Sequence, residues 1–255
     1  MPSIISDYRF FHIQGTNNTD PKAVDTWNEF AIRIKDLAFS GVSAQIIQYE
    51  DDARRLDQQR LIPGWNYCQY FILKEALAFT FELLGIYEEV LVQYDELEAS
   101  FFQTMAEQGA PWFKKFGATE QGDDSPLIFH LSKNYRERII QNTISIYDFR
   151  MYLFYRQCHI LNLLQRPVEI CLRAKLFIST FSRTINDYKD SLNQYFCESW
   201  TYSMALTIIS HCDELLAVCN YPGNLVLVYE GLKGELYLVA RYQVHIAWNI
   251  SFTLI

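Results

Sequence analysis

The main grouping of cysteine and histidine in the sequence is His211-Cys212, with Cys197 and Cys219 on either side. Cysteine and histidine are the ligands that zinc prefers, but these spacings match no usual zinc module. On a helix, His211 and Cys212 would point to different faces. Buried cysteines and a capped histidine are the better interpretation, so we predict no metal and no cofactor.

Two other groupings have the residue types of a catalytic site. A thiol nucleophile needs a base beside it, but Cys158 and the adjacent His159 would point about 100° apart on a helix. Paired carboxylates are the groups of general acid–base catalysis. The carboxylates here have the spacing of an exposed helix face, which favours solubility over catalysis. They are Glu88, Glu89, Asp95, Glu96 and Glu98.

Composition excludes several classes of protein. The sequence contains no GxxxxGKS, GxGxxG, HExxH, GxSxG or paired CxxC motif. Half of its 255 residues are hydrophobic and its net charge is −8, which predicts a folded chain that does not bind nucleic acid. We find no apolar run of membrane-spanning length and no signal peptide, so we expect a cytoplasmic protein with reduced cysteines.

The net charge is unevenly distributed. Residues 133–190 contain 10 Lys and Arg against 5 Asp and Glu, whereas residues 1–132 contain 10 against 20. Such a basic segment is most often a solvated polar face, but it could also meet an acidic partner or an anionic membrane. The candidate contact residues, which we call the basic stripe, are Arg156, Arg166, Arg173, Lys175 and Arg183.

Among the elements that would position these residues, one segment has a clear repeat pattern. Residues 63–102 have the spacing of a tetratricopeptide (TPR)-like hairpin, in which two antiparallel helices pack through a small residue and a short turn. The hairpin residues are Leu77, Ala78, Phe81, Gly85, Tyr87, Val90, Tyr94 and Leu97. This pattern indicates a scaffold rather than an enzyme.

The remaining patterns predict an all-α fold, an irregular α-solenoid segment forming one scaffold region over residues 1–255. We predict a helix pair at 20–60 divided at Gly41, a loop-rich insert at 103–143, and a second helical array at 144–220. The tail at 221–255 is ambiguous, because residues 225–229 have the composition of a strand and residues 235–248 suit either a helix or a strand.

A second hairpin resembles the first at an offset of 80 residues. Cys158 corresponds to Ala78, Leu161 to Phe81, and the pair at 163–164 to the pair at 83–84. Either these are two copies of one degenerate repeat, or two amphipathic hairpins are alike by chance.

Three strings carry a family resemblance: PGWNYCQYFILKEALAF (63–79), YEEVLVQYDELEASF (87–101) and YLFYRQCHILNLLQRPVEI (152–170). Over about residues 20–220 the sequence resembles large subunit ten of the TRAPP tethering complex. Members of that family are several times longer, so we expect a fragment or a shortened form. The tail after Arg241 does not resemble the family's continuation.

The resemblance implies a non-catalytic subunit of TRAPP II, a complex that tethers vesicles at the Golgi and promotes nucleotide exchange on Rab GTPases. The implied partners are other TRAPP subunits, Rab GTPases indirectly, and the Golgi membrane peripherally. One alternative is a generic TPR-like adaptor that binds short peptides of partner proteins. A further alternative is an enzyme whose site the sequence does not show.

Overall fold

The computed structural model describes residues 21–253 except 110, 114 and 127–132, and every regular element in these ranges is helical. This confirms the all-α prediction. The N-terminal segment, where we expected no signal peptide, and the last two residues lie outside the described ranges. The helices are α1 (Pro21–Gln58), α2 (Tyr67–Leu83), α3 (Tyr87–Gln108), α4 (Tyr135–Ile140), α5 (Ile146–Leu163), α6 (Pro167–Asp187), α7 (Phe196–Val218) and α8 (Gly223–Thr253), with a 3₁₀ turn at Lys189–Ser191.

The chain divides into two compact units between Arg54 and Arg55, rather than forming the single region that we predicted. In the first unit, helix α1 passes through Gly41 without a break, so the helix pair predicted at 20–60 is wrong. A glycine ends a helix when it adopts a left-handed conformation at the C-terminus. Gly41 keeps helical geometry, and no proline follows it to stop the helix.

The second unit begins with the predicted hairpin, α2 and α3. The Asn66 side chain caps α2 by accepting a hydrogen bond from the Cys68 backbone N–H at 2.8 Å. After Leu84, Gly85 takes a φ of +72°, and the Ile86 N–H donates back to the Phe81 carbonyl at 3.0 Å. This is a Schellman motif, which satisfies the last carbonyls of the helix and reverses the chain.

The turn between α5 and α6 repeats this geometry 80 residues later. Leu164 has φ and ψ of −76° and −6°, close to the −83° and −5° of Leu84. Gln165 takes a φ of +56°, and the Arg166 N–H donates to the Leu161 carbonyl at 2.9 Å. The two turns therefore share one geometry at the offset read from the sequence, and the origin of the two hairpins as copies of one repeat stays a prediction.

The tail adds a third helix pair, α7 with α8. The Tyr229 hydroxyl donates to Asp213 Oδ1 at 2.6 Å, and Lys233 Nζ donates to the same oxygen at 2.7 Å. The strand suggested by residues 225–229 is wrong, because this segment lies inside α8. The buried residues of α8 follow helical spacing, and packing against α7 overrides the strand propensity of a short β-branched run.

The insert between α3 and α5 contains little regular structure beyond the six residues of α4. Its aromatic residues fix it to the body. Phe113 lies 5.2 Å from Phe149, and Phe116 stacks on Tyr188 at 4.2 Å between ring centroids. The insert is therefore a packed part of the second unit.

Candidate protein-interaction surface

Two members of the basic stripe bind the acidic helix α3. Arg166 forms an ion pair with Glu88, and Arg173 forms a bidentate pair with Asp95 at 2.7 and 2.6 Å. Both pairs join residues 78 positions apart, on α3 and on α6. The two helices therefore run parallel, with the second hairpin stacked on the first in one register.

The other three members of the stripe lie in different environments. Arg156 is buried, pairs with Glu82, and donates from Nε to the Tyr94 hydroxyl at 2.8 Å. Lys175 pairs with Glu235 of α8. Arg183 is exposed and makes no ion pair within the described part of the chain. The predicted contact of the stripe with a partner or a membrane stays a prediction, but four of its five charges are already paired.

Most of the carboxylate row on α3 holds neighbouring helices. Besides Glu88 and Asp95, Glu96 pairs with Lys74 of α2, and Glu98 Oε1 accepts from Arg150 Nη1 at 3.0 Å. The interpretation of the row as a purely solvated face is wrong for these four residues. For three of them the reason is that the second hairpin presents basic residues to this side of α3, whereas Glu96 is paired within the first hairpin.

A fully buried carboxylate lies between the two hairpins. Glu75 on α2 accepts hydrogen bonds from the Tyr152 hydroxyl at 2.6 Å and from Arg136 Nε at 3.0 Å, and the Tyr94 hydroxyl lies at 3.4 Å. Burial raises the pKa of the Glu75 carboxyl, while the hydrogen bond from Tyr152 and the charge of Arg136 lower it. This cluster connects α2, α3, α4 and α5.

Side chains of α3, α5 and α6 enclose a cavity of about 570 Å³, which we call the α3–α6 groove. Ala99 and Phe102 of α3 line one side, and Leu176 and Phe177 of α6 line the other. Its floor is formed by Arg150, Phe154 and Gln157 of α5. The lining is mainly apolar, and Phe102 and Leu176 are largely exposed at its rim.

The thiol and histidine candidates do not form a catalytic pair. Cys158 is fully buried, and burial raises the pKa of its thiol well above the usual range. His159 instead stacks on Tyr155, with its Nε2 3.7 Å from Glu82. His211 Nε2 lies 2.9 Å from Asn162 Oδ1, so it is held by an amide.

Within the described ranges, no three His, Cys, Asp or Glu side chains come together as metal ligands. None of the helices placed by the structure is both long enough and apolar enough to span a bilayer.

Comparison with known proteins identifies relatives over most of the chain. It is 35% identical over 199 residues to trafficking protein particle (TRAPP) complex subunit 10 of Dictyostelium discoideum, a match covering 74% of this chain. Over this segment the chain is homologous to TRAPP subunit 10. It is also 31% identical over 206 residues to human TRAPP subunit 10, and 30% identical over 235 residues to the rice TRAPP II-specific subunit 130 homologue.

The TRAPP homology covers one part of much longer proteins. The chain spans 13% of the Dictyostelium relative, 16% of the human relative and 18% of the rice relative. These matches cover 74%, 79% and 89% of this chain. No protein-family profile matches the chain, and no solved structure matches it.

Sequence reasoning missed the two charged residues that organise this TRAPP-related segment. Glu75 lies within the apolar string FILKEALAF, and Arg150 lies within YDFRMYLFYR. A charged residue that falls among the apolar residues of a helix must find a partner when that face of the helix is buried. That signal was present in the sequence, but the partners come from other helices and only the fold identifies them.

Proposed function

We propose that this chain is a non-catalytic scaffold segment of a TRAPP II-type vesicle-tethering complex. The observation that carries the proposal is its homology to TRAPP subunit 10 over most of its length. The stacked hairpins support it, because such stacks present long side-chain surfaces to neighbouring proteins. In this role the segment acts in the cytoplasm, at Golgi membranes, and holds subunits that promote nucleotide exchange on Rab GTPases.

The second candidate is a helical adaptor that binds a short segment of a partner protein. The α3–α6 groove favours it, because the groove is apolar, open to solvent and carries polar groups on its floor. The two candidates differ in partner rather than in fold. A scaffold binds folded TRAPP subunits, whereas an adaptor binds linear peptides.

Co-purification from cells tests the scaffold role. An affinity-tagged chain is expressed in its own host, recovered at physiological salt and analysed by mass spectrometry beside an untagged control. We expect enrichment of other TRAPP subunits and of a Rab GTPase recovered through them. Recovery of unrelated proteins without any TRAPP subunit would contradict the proposal.

A further inference from the structure

Hydrogen bonding on the floor of the α3–α6 groove is unevenly satisfied. Among the described residues, Arg150 makes a single hydrogen bond, from Nη1 to Glu98 Oε1. Gln157 Nε2 donates to Glu98 Oε2 at 2.9 Å and to Asp95 Oδ1 at 3.0 Å. Asp95 also accepts both Arg173 nitrogens. Every carboxylate oxygen at the groove has a donor, whereas Arg150 keeps donors to spare.

The surroundings of Arg150 are largely apolar. The residue is only 5% exposed, and its guanidinium lies 4.3 Å from the Phe102 ring centroid and 5.3 Å from that of Phe177. Burial lowers the pKa of Arg150, while the charge of Glu98 and its hydrogen bond raise it. A buried guanidinium with open donors gains most from a charged acceptor.

The walls of the groove indicate which groups a ligand would carry besides a carboxylate. Aromatic and aliphatic side chains line both sides, and the cavity of about 570 Å³ falls within the range of ligand pockets, ~300–1,000 Å³. Leu176 is 66% exposed at the rim, where an incoming side chain would cover it. A suitable ligand therefore combines apolar side chains with one carboxylate.

We propose that the α3–α6 groove binds a protein segment in which an Asp or Glu lies within one helical turn of an aromatic or aliphatic residue. The carboxylate binds the free donors of Arg150, and the apolar residue packs between Phe102 and Leu176. This inference rests on the proposed function only in taking the ligand to be protein. It adds the chemistry of the partner and the place where it binds.

Peptide selection tests the inference with the full chain. The purified protein is panned against phage displaying random twelve-residue peptides, and each enriched peptide is synthesised with its acidic residue and with the matching amide. Affinities are measured by fluorescence anisotropy for the wild type and for Leu176→Glu. The control variant is Leu227→Glu, which places the same charge at a 75% exposed position of α8.

We expect enriched peptides to contain the acidic and apolar pair. Replacing the acid by its amide should weaken binding at least about fivefold, the loss of a charge-assisted hydrogen bond. Leu176→Glu should weaken it about tenfold, because the added charge repels the ligand's carboxylate, and Leu227→Glu should leave it unchanged. The inference is overturned if no peptide is enriched, if the amides bind equally, or if Leu176→Glu has no effect. If the peptide test fails while TRAPP subunits still co-purify, the groove is excluded as a binding site and the scaffold role stands.

Discussion

Asp95 on α3 and Arg173 on α6 form a bidentate ion pair that joins the second helices of two successive hairpins. Both residues line the α3–α6 groove, and the pair repeats the spacing of Glu88 with Arg166 two helical turns earlier. The acidic character of α3 and the basic character of α6 are therefore complementary. In the sequence these charges look like a solvated surface. In the structure they pair α3 with α6 and so help to set the register of the stack.

Reversing the charge of Arg173 should destabilise this stack. Arg173→Glu removes both hydrogen bonds and places a like charge beside Asp95, so we expect a loss of about 1 kcal/mol in the free energy of unfolding, since the pair is partly exposed. Urea denaturation measures the loss. Arg183→Glu on the same helix is the control and should change stability by less than ~0.5 kcal/mol.

The double variant Asp95→Arg/Arg173→Asp should recover part of the lost stability, because it restores opposite charges. Equal unfolding midpoints for Arg173→Glu, Arg183→Glu and the wild type would show that the pair contributes nothing to the stack. In that case the stripe would again be best explained as an external contact surface.

Removing the glycine from the first turn and introducing one into the second should change stability in opposite directions. Gly85→Ala should destabilise the protein by about 1–2 kcal/mol, since φ is +72° and the added methyl group meets no neighbour that could compensate. Gln165→Gly relieves the same strain at φ +56° and should stabilise by up to ~1 kcal/mol. Thermal and urea unfolding measure both. Changes of the same sign in the two variants would refute the equivalence of the turns.

Ala78 is a close-contact position of the first hairpin. It is fully buried, so Ala78→Leu should overpack the contact and lower the free energy of unfolding by about 1–3 kcal/mol. Ala106→Leu adds the same atoms to an exposed position of α3 and serves as the control. A thermal melt of Ala78→Leu that matches the control would contradict the packing register.

Glu75 predicts a pH dependence of stability. Burial raises the pKa of the Glu75 carboxyl in the folded state. Its contribution to the free energy of unfolding is therefore fully present below the pKa of the unfolded chain and is lost as the pH rises through the folded-state pKa. Glu75→Gln imitates the protonated form at every pH. We therefore expect the variant to gain stability relative to the wild type as the pH is raised from acid to neutral, measured by urea unfolding at several pH values.

The opposite trend for Glu75→Gln would mean that Arg136 and Tyr152 stabilise the charged carboxylate more than burial disfavours it. Glu98→Gln is a suitable comparison, since Glu98 is partly exposed and paired with Arg150.

Local features of this protein were readable from its sequence, and long-range ones were not. The short turn at Gly85 and the second hairpin 80 residues on follow from a glycine and from apolar spacing. The continuous helix through Gly41 was missed, because a glycine alone does not determine whether a helix ends. The strand-like run at 225–229 became helical because α7 offered it a packing surface.

The interaction surface depended even more on tertiary structure. The basic stripe was found as a set of residues, but apart from Glu169 beside Arg166 the acids that pair with it lie 60 to 78 positions away in sequence. Nothing local distinguishes Glu88 bound to Arg166 from a solvated glutamate. Arg150 was missed for the same reason, since its significance comes from Glu98 and from rings on two other helices.

The measurement that tests the central claim most directly is reconstitution from purified components. The chain is mixed with purified small subunits of the TRAPP complex, separately and together, and each mixture is run on size-exclusion chromatography. We predict that the chain co-elutes with at least one subunit. Elution of the wild-type chain apart from every subunit would contradict its assignment as a TRAPP scaffold segment.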